Sequence, residues 1–489
     1  MKTYIKCGHL LCSRLFPFLM LLLLEIVAGG CRKHRGEPED PTEELMEVNI
    51  ASHFRDNDVV LRAELSEAEK KLLTNPLIYN FRGMRVVFYA VNEQGAPTTV
   101  KYAFDLDVQM SKRVVSGTDY THYDDKGTLE LAPLRVAPAD YKVLVIANPN
   151  NEIRSRTEPD AEFATLRQPM KVSYDRGRDK NGKKNPDRYA NFFFYNPELL
   201  SISPKSLNPK GDFNVNLSMN HALVTLNLEH KSSLQGVHID EKSVTIFPDK
   251  VSSQFCLFPE KDSIKVLDGR QEFFPLNPRN QVVDYAAELD SVAGIDVVKS
   301  YNFPFLRVPE NAPLGGDKSG KNISRVIVRL TMSPNAEIKL GESWIRYNGK
   351  AYSLKGFKAE LENAKKDKNQ AKIKELQGYI GKFFKKGEED IEAVKPGYQD
   401  DVLRYYHGQG YYVIPIRHLS ADVVGGSHAT GRFGVIRGSI YLLNIVSVNG
   451  FGYATARAIP QEIDYEDTHV SGSLIFGTPK INSSDHDLF

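Results

Sequence analysis

In 489 residues the chain carries only four cysteines, one tryptophan and almost no net charge, the formal value being +1 at neutral pH. The missing basic surplus excludes a protein held on nucleic acid by charge, so no nucleic-acid partner is expected. Cysteine is too scarce for a disulfide framework. Cys7 and Cys12 lie in the first thirty residues, which read as a removable signal, and this leaves Cys31 and the solitary Cys256, so a packed core must hold the fold. Catalytic signatures are missing too. There is no His-Glu-x-x-His, no Cys-x-x-Cys and no Gly-x-Ser-x-Gly. No enzymatic activity, catalytic residue, metal or cofactor is expected. A glycan-processing enzyme would need two carboxylates facing each other across a cleft, and the sequence identifies no such pair.

Two near misses are explained by their context. Residues 315–321 (GGDKSGK) fit a phosphate loop until Asn322, which stands where Ser or Thr would hold the metal. They also feed an alternating strand, whereas a phosphate loop must open a helix, so a hairpin turn is expected. Around Asp179-Lys180-Asn181-Gly182, a calcium-loop count puts Gly177 at the first ligand and Arg188 where a bidentate acid belongs. His407 and His418 have no acidic partner at metal-ligand spacing and read as packing or hydrogen-bonding residues.

What the chain does have is an export signal. Lys2, Lys6 and Arg14 precede an apolar run over 15–27, and Ala28-Gly29-Gly30-Cys31 follows. That order is a secretory signal peptide over 1–30, and a cysteine after small residues matches a lipoprotein cleavage site with Cys31 lipidated. An ordinary signal peptide with an incidental cysteine is the alternative. The run is shorter than the ~20 apolar residues a bilayer span needs. One acyl chain binds a membrane only marginally, so a lipid anchor at Cys31 requires more than one.

Residues 32–44, charged and bearing two prolines, read as a tether. In 45–51, Met46, Val48 and Ile50 alternate with Glu47 and Asn49, the period of a strand. Further strands are expected at 85–91 and 142–147, with exposed loop at 175–187. The proline-bearing segment 203–210 suggests a boundary between an N-terminal unit (56–203) and a C-terminal one (204–489). In the second unit Val224, Leu226 and Leu228 alternate, as do Val326, Val328, Leu330 and Met332, with Arg325 and Arg329 on the opposite face. Strands resume at 411–418 and 439–448. Residues 354–385 differ: Phe357, Leu361, Ala364, Ile373, Leu376 and Ile380 fall at helical spacing, predicting one or two helices with a lysine-rich, solvated outer face. The expected fold is mainly β: two tandem antiparallel β-sandwiches with a helical insertion in the second.

The final hundred residues carry a resemblance. YYHGQGYYVIPIRHLSAD (405–422), followed by GRFGVIRGSIYLLNIVSVNGFGYA (431–454), resembles the C-terminal domain of Bacteroidales fimbrillins, the type V pilins, with the closest likeness to minor-fimbrium (Mfa-type) subunits. The positions that carry it are Tyr411, Tyr412, Ile416, Arg417 and His418, then Gly434, Val435, Arg437, Tyr441 and Gly450. RVVFYAV and DYKVLVIANP give the N-terminal unit a similar likeness. The chain departs from the family in its closing strand, which lacks the usual Trp; its one Trp is Trp344.

The resemblance implies transthyretin-like sandwiches and a structural pilin of a cell-surface fimbrium that supports adhesion. It also implies lipoprotein export, lipid anchoring in the outer membrane, trimming by an Arg-specific protease and polymerisation by donor-strand exchange. Partners would be other pilin subunits, the trimming protease, and host or bacterial surface receptors. In this chain the lipidated segment 31–55 would hold a removable strand (Met46, Val48, Ile50), and Arg55 and Arg62 compete as the trimming point. The tail (468–489) would supply a donor strand through Val470, Gly472, Leu474 and Phe476; alternatively, the tail closes its own domain. A fimbrial anchor, assembly lipoprotein or tip adhesin is the other role the same features allow.

Overall fold

The computed structural model describes residues 45–53, 83–107, 112–114, 128–171, 192–206, 212–232, 236–265, 271–275, 282–283, 295–296, 305–313, 320–383, 402–419, 421–448, 450–463 and 480–488.

In the N-terminal unit β1 (Met46–His53) lies in a first sheet. The second is built on β2 (Gly83–Val91) and β3 (Pro97–Asp107). Two short strands, β4 (Thr128–Glu130) and β5 (Leu134–Val136), pair antiparallel with β1. β6 (Tyr141–Ala147) pairs with β2, and β7 (Phe194–Tyr195) extends that sheet to the order β7-β6-β2-β3. Both faces of β2 and β6 are covered, which is why they read as nearly continuous apolar runs. Val86, Phe88, Val143 and Val145 face β1, while Val87, Tyr89, Leu144 and Ile146 pack under helix α1 (Asn151–Arg156) and residues 163–166. Asn150 caps α1, its side chain accepting from Ile153 N at 2.8 Å.

β8 (Asp212–Asn216) follows the 203–210 segment yet pairs with β1, so pairing within the N-terminal unit continues past it. The C-terminal unit opens with β9 (His221–Ser232) and β10 (His238–Asp249), followed by β11 (Leu306–Pro309) and β12 (Arg325–Ser333). A small sheet is formed by β13 (Trp344–Tyr347), β14 (Lys350–Ser353) and β15 (Val402–Tyr405). The unit closes with β16 (Gln409–Pro415), β17 (Ser439–Val448) and β18 (Lys480–Leu488). Its two main sheets have the orders β11-β9-β17-β18 and 295–296-β10-β12-β16. Between them Val224, Leu226, Tyr441 and Leu443 meet Ile246, Val328, Leu330 and Ile414.

The fold is mainly β, with the helical insertion where periodicity put it. α2 (Leu354–Lys366) and α3 (Gln370–Phe383) form a hairpin whose apolar face covers β13 and β15 through Phe357, Leu361, Ile373 and Leu376. Ser353 and Asn369 cap the two helices by accepting from Gly356 N (3.0 Å) and Lys372 N (3.1 Å). The sheets are mixed as well as antiparallel: β1–β8, β9–β17 and β17–β18 are parallel pairs joined by long connections.

Arg325 also departs from expectation. It lies opposite the Val326 face, but residues 456–463 cover that side, and Arg325 is fully buried against Asp249 (Nε to Oδ2, 2.6 Å). A buried guanidinium requires such a partner, and Arg325 donates further to Pro460 O at 2.8 Å.

Candidate assembly site

Strand β1 is central in its sheet. On one side Asn49–His53 run parallel to β8. On the other, Met46–Val48 pair with β5, and Ala51–His53 with β4, while Ile50 O accepts from Leu131 N at 2.9 Å. Period two sends Met46, Val48, Ile50 and Ser52 to the core, where they are 5, 0, 2 and 0 % exposed. Their same-face neighbours are Val136, Leu134, Phe213 and Val215, and Met84, Val86, Phe88 and Val145 lie among the same core residues. The outward residues make surface contacts only: Asn49 Nδ2 donates to Asp212 Oδ1 (3.1 Å), and Glu47 lies 3.9 Å from Arg135.

Ser52 is the exception on this stripe. Its hydroxyl is buried with no hydrogen-bond partner among the described residues. The strand expected over 45–51 extends to His53, and its alternation brings Ser52 onto the inward stripe.

Cys31, Arg55, Arg62, Val470, Gly472, Leu474 and Phe476 lie outside the described residues. The described part of the tail is β18, which runs parallel to β17 at the edge of its own sheet, from Ser439↔Lys480 to Val448↔Leu488.

The motif residues of the C-terminal unit form a tightly packed knot. The Tyr405 hydroxyl donates to Gly452 O (3.1 Å) and that of Tyr412 to Gly450 O (2.7 Å), tying β15 and β16 to the turn after β17. Burial pushes the Tyr405 phenol up to about 12 and Tyr412 well above its usual value, so both stay neutral donors. Trp344 stacks on Tyr405 with ring centres 4.0 Å apart. Gly410 has no room for a side chain, because a Cβ there would sit 2.3 Å from Phe451 O. His418 is a core residue, its Nδ1 2.9 Å from the Tyr441 hydroxyl. Ile416 is buried, and Arg417 lies over the Phe433 ring. Phe433 and Val435 make isolated bridges to Arg417 and Asn311 on either side of Gly434, whose φ is +140°.

Arg437 joins the units. It pairs with buried Glu310 (Nε to Oε2, 2.8 Å) and donates to Leu257 O (3.0 Å), Cys256 O (2.7 Å) and the Tyr195 hydroxyl of β7. Glu310 and Tyr195, distant from Arg437 in sequence, were not singled out by sequence reasoning; nothing in their local pattern marks them. Among the described residues no cluster of His, Cys, Asp or Glu is placed to hold a metal ion, and no helix is long and apolar enough to cross a membrane.

Residues 404–476 match the family described as major fimbrial subunit protein type IV, fimbrillin, C-terminal, in line with the resemblance drawn from 405–454. No curated protein matches. Among solved structures, a candidate cell adhesion protein from Parabacteroides distasonis is similar at 11% identity, covering 91% of this chain and 99% of its own, with a TM-score of 0.39. The tip fimbrial protein Mfa3 from Porphyromonas gingivalis, with a C-terminal truncation, is similar at 11% identity over 59% of this chain and 79% of its own, with a TM-score of 0.31.

Proposed function

We propose that this chain, with its fimbrillin-type C-terminal segment, is a structural pilin subunit of a cell-surface fimbrium that supports adhesion. It is exported as a lipoprotein precursor lipidated at Cys31, trimmed at Arg55 or Arg62, and polymerised by donor-strand exchange. The observation that carries this reading is the position of β1: an N-terminal strand paired on both sides and buried in the core, with Arg55 and Arg62 just downstream.

Burial of Met46, Val48 and Ile50 is worth about 5–9 kcal/mol in all, before ordering costs. While the chain is continuous, β1 rebinds at the high effective concentration of a tethered segment. After cleavage it is a separate short peptide that can diffuse away. Its departure leaves an apolar floor between two unpaired strand edges, a seat for a strand from another copy.

The donor is the alternating segment Val470, Gly472, Leu474 and Phe476, which lies within the matched region. Handing it over draws β18 away from β17. That release is favoured by the composition of β18, KINSSDHDL, which is rich in residues depleted from strands.

N-terminal sequencing of chains taken from assembled surface fibres tests the proposal. A start at Asp56 or Ala63 is the expected result. A start at Cys31 overturns the shaft reading and assigns the chain to an anchor or assembly lipoprotein.

A further inference from the structure

The Ser52 position specifies how an incoming strand must lie. Resting on the donor-strand reading above, we propose that the tail of a second copy enters the β1 seat in the direction opposite to β1. Gly472 then takes the place of Ser52, Leu474 that of Ile50, and Phe476 that of Val48.

The argument starts from size and polarity. Of the four inward positions of β1, three hold apolar side chains of at least Val size, and the fourth holds Ser52, wholly buried beside Val215. This fourth position accommodates two side-chain atoms, and it leaves the Ser52 hydroxyl without a partner among the described residues. A replacement strand matches it best with a residue that is small and has no hydroxyl to bury. The donor stripe contains one such residue, Gly472, flanked at two-residue steps by Val470 and Leu474.

With Gly472 at this place, the two directions differ sharply. Running with β1, the strand would set Val470 at Ile50, Thr468 at Val48 and Glu466 at Met46, putting a carboxylate into a position that is 5 % exposed. Running against β1, it sets Leu474 at Ile50, Phe476 at the smaller Val48 and Thr478 at Met46, over a floor that includes Val86, Phe88 and Val145, so the Met46 place receives a hydroxyl instead of a carboxylate. The second direction puts two large apolar residues and no charge on the core side. It also makes the donor antiparallel to β8 and parallel to β4 and β5, the reverse of the pairing of β1 itself. The seat therefore accepts the donor and discriminates against the reversed register.

Paired cysteines read the direction directly. The one other cysteine left once Cys31 is removed, Cys256, is buried. In polymer assembled from full-length chain and mildly oxidised, Leu474→Cys with Phe213→Cys and Phe476→Cys with Leu134→Cys should each give inter-copy disulfides, seen as a ladder of covalent multimers on a non-reducing gel. A Val470→Cys with Phe213→Cys bond would overturn the proposed direction and leave donor exchange standing. Polymer that forms with none of these bonds would overturn both. A variant that leaves the acceptor core untouched provides the second readout: Gly472→Phe should lower polymer yield about ten-fold or more, from overpacking at the Ser52 place. Gly477→Phe, outside the stripe, should leave it unchanged. Equal yields from the two variants would also overturn the proposal.

Discussion

The Arg437 guanidinium of the C-terminal unit donates to the Tyr195 hydroxyl of the N-terminal unit across 2.9 Å. Tyr195 also donates to Leu257 O, which Arg437 itself contacts, so one charged group ties three segments together. Burial opposes the charge, but Glu310 and Tyr195 hold Arg437 protonated, above its ordinary pKa. Cores mix here as well: Leu223, Phe305 and Ile440 of the C-terminal unit pack among the residues around β1. Pulling on one unit therefore loads the other directly through this joint.

Arg437→Ala should therefore destabilise the chain by about 3–5 kcal/mol, since it strands the Glu310 carboxylate, 1 % exposed, without its partner. Urea unfolding followed by fluorescence measures this. Arg437→Lys should recover only part of the loss, because an ammonium cannot reach Glu310, Tyr195 and two carbonyls together.

Ile50→Ala separates precursor from polymer. It removes a side chain 2 % exposed in the β1 core and should lower precursor stability by about 2–5 kcal/mol. Under the proposed trimming, polymer has lost residue 50, so its thermal disassembly temperature should match that of wild type. A lowered disassembly temperature would mean that β1 stays in the fibre.

Two glycines should respond in opposite directions. Gly410→Ala forces a methyl against Phe451 O and should destabilise by about 1–3 kcal/mol. At Gly378, in the middle of α3, an added Cβ meets nothing within 4 Å, and Gly378→Ala should stabilise by about 0.5–1 kcal/mol. Thermal melts of the two single variants check both signs.

Local pattern made much of this protein readable in advance. Such patterns are written in neighbouring residues: alternation marks β1, β9 and β12, nearly continuous apolar runs mark β2 and β6, and the spacing of Phe357, Leu361 and Ile373 is enough for the helical hairpin. The resemblance around Tyr411 and Tyr412 falls within residues 404–476, which match the fimbrillin C-terminal family.

Pairing was hidden, because which strands become neighbours depends on contacts between residues far apart in the chain. No local signal announces that Asp212–Asn216 returns to β1, that β9 lies parallel to β17, or that Arg325 is buried against Asp249. The same holds for the candidate site. Alternation marked Met46, Val48 and Ile50 as one face of a strand, whereas the seat itself, with strands on both edges and a buried hydroxyl at Ser52, exists only after chain segments more than 150 residues apart have met, as Asn49 and Asp212 do. Periodicity is a property of a short stretch of backbone; enclosure belongs to the assembled sheets.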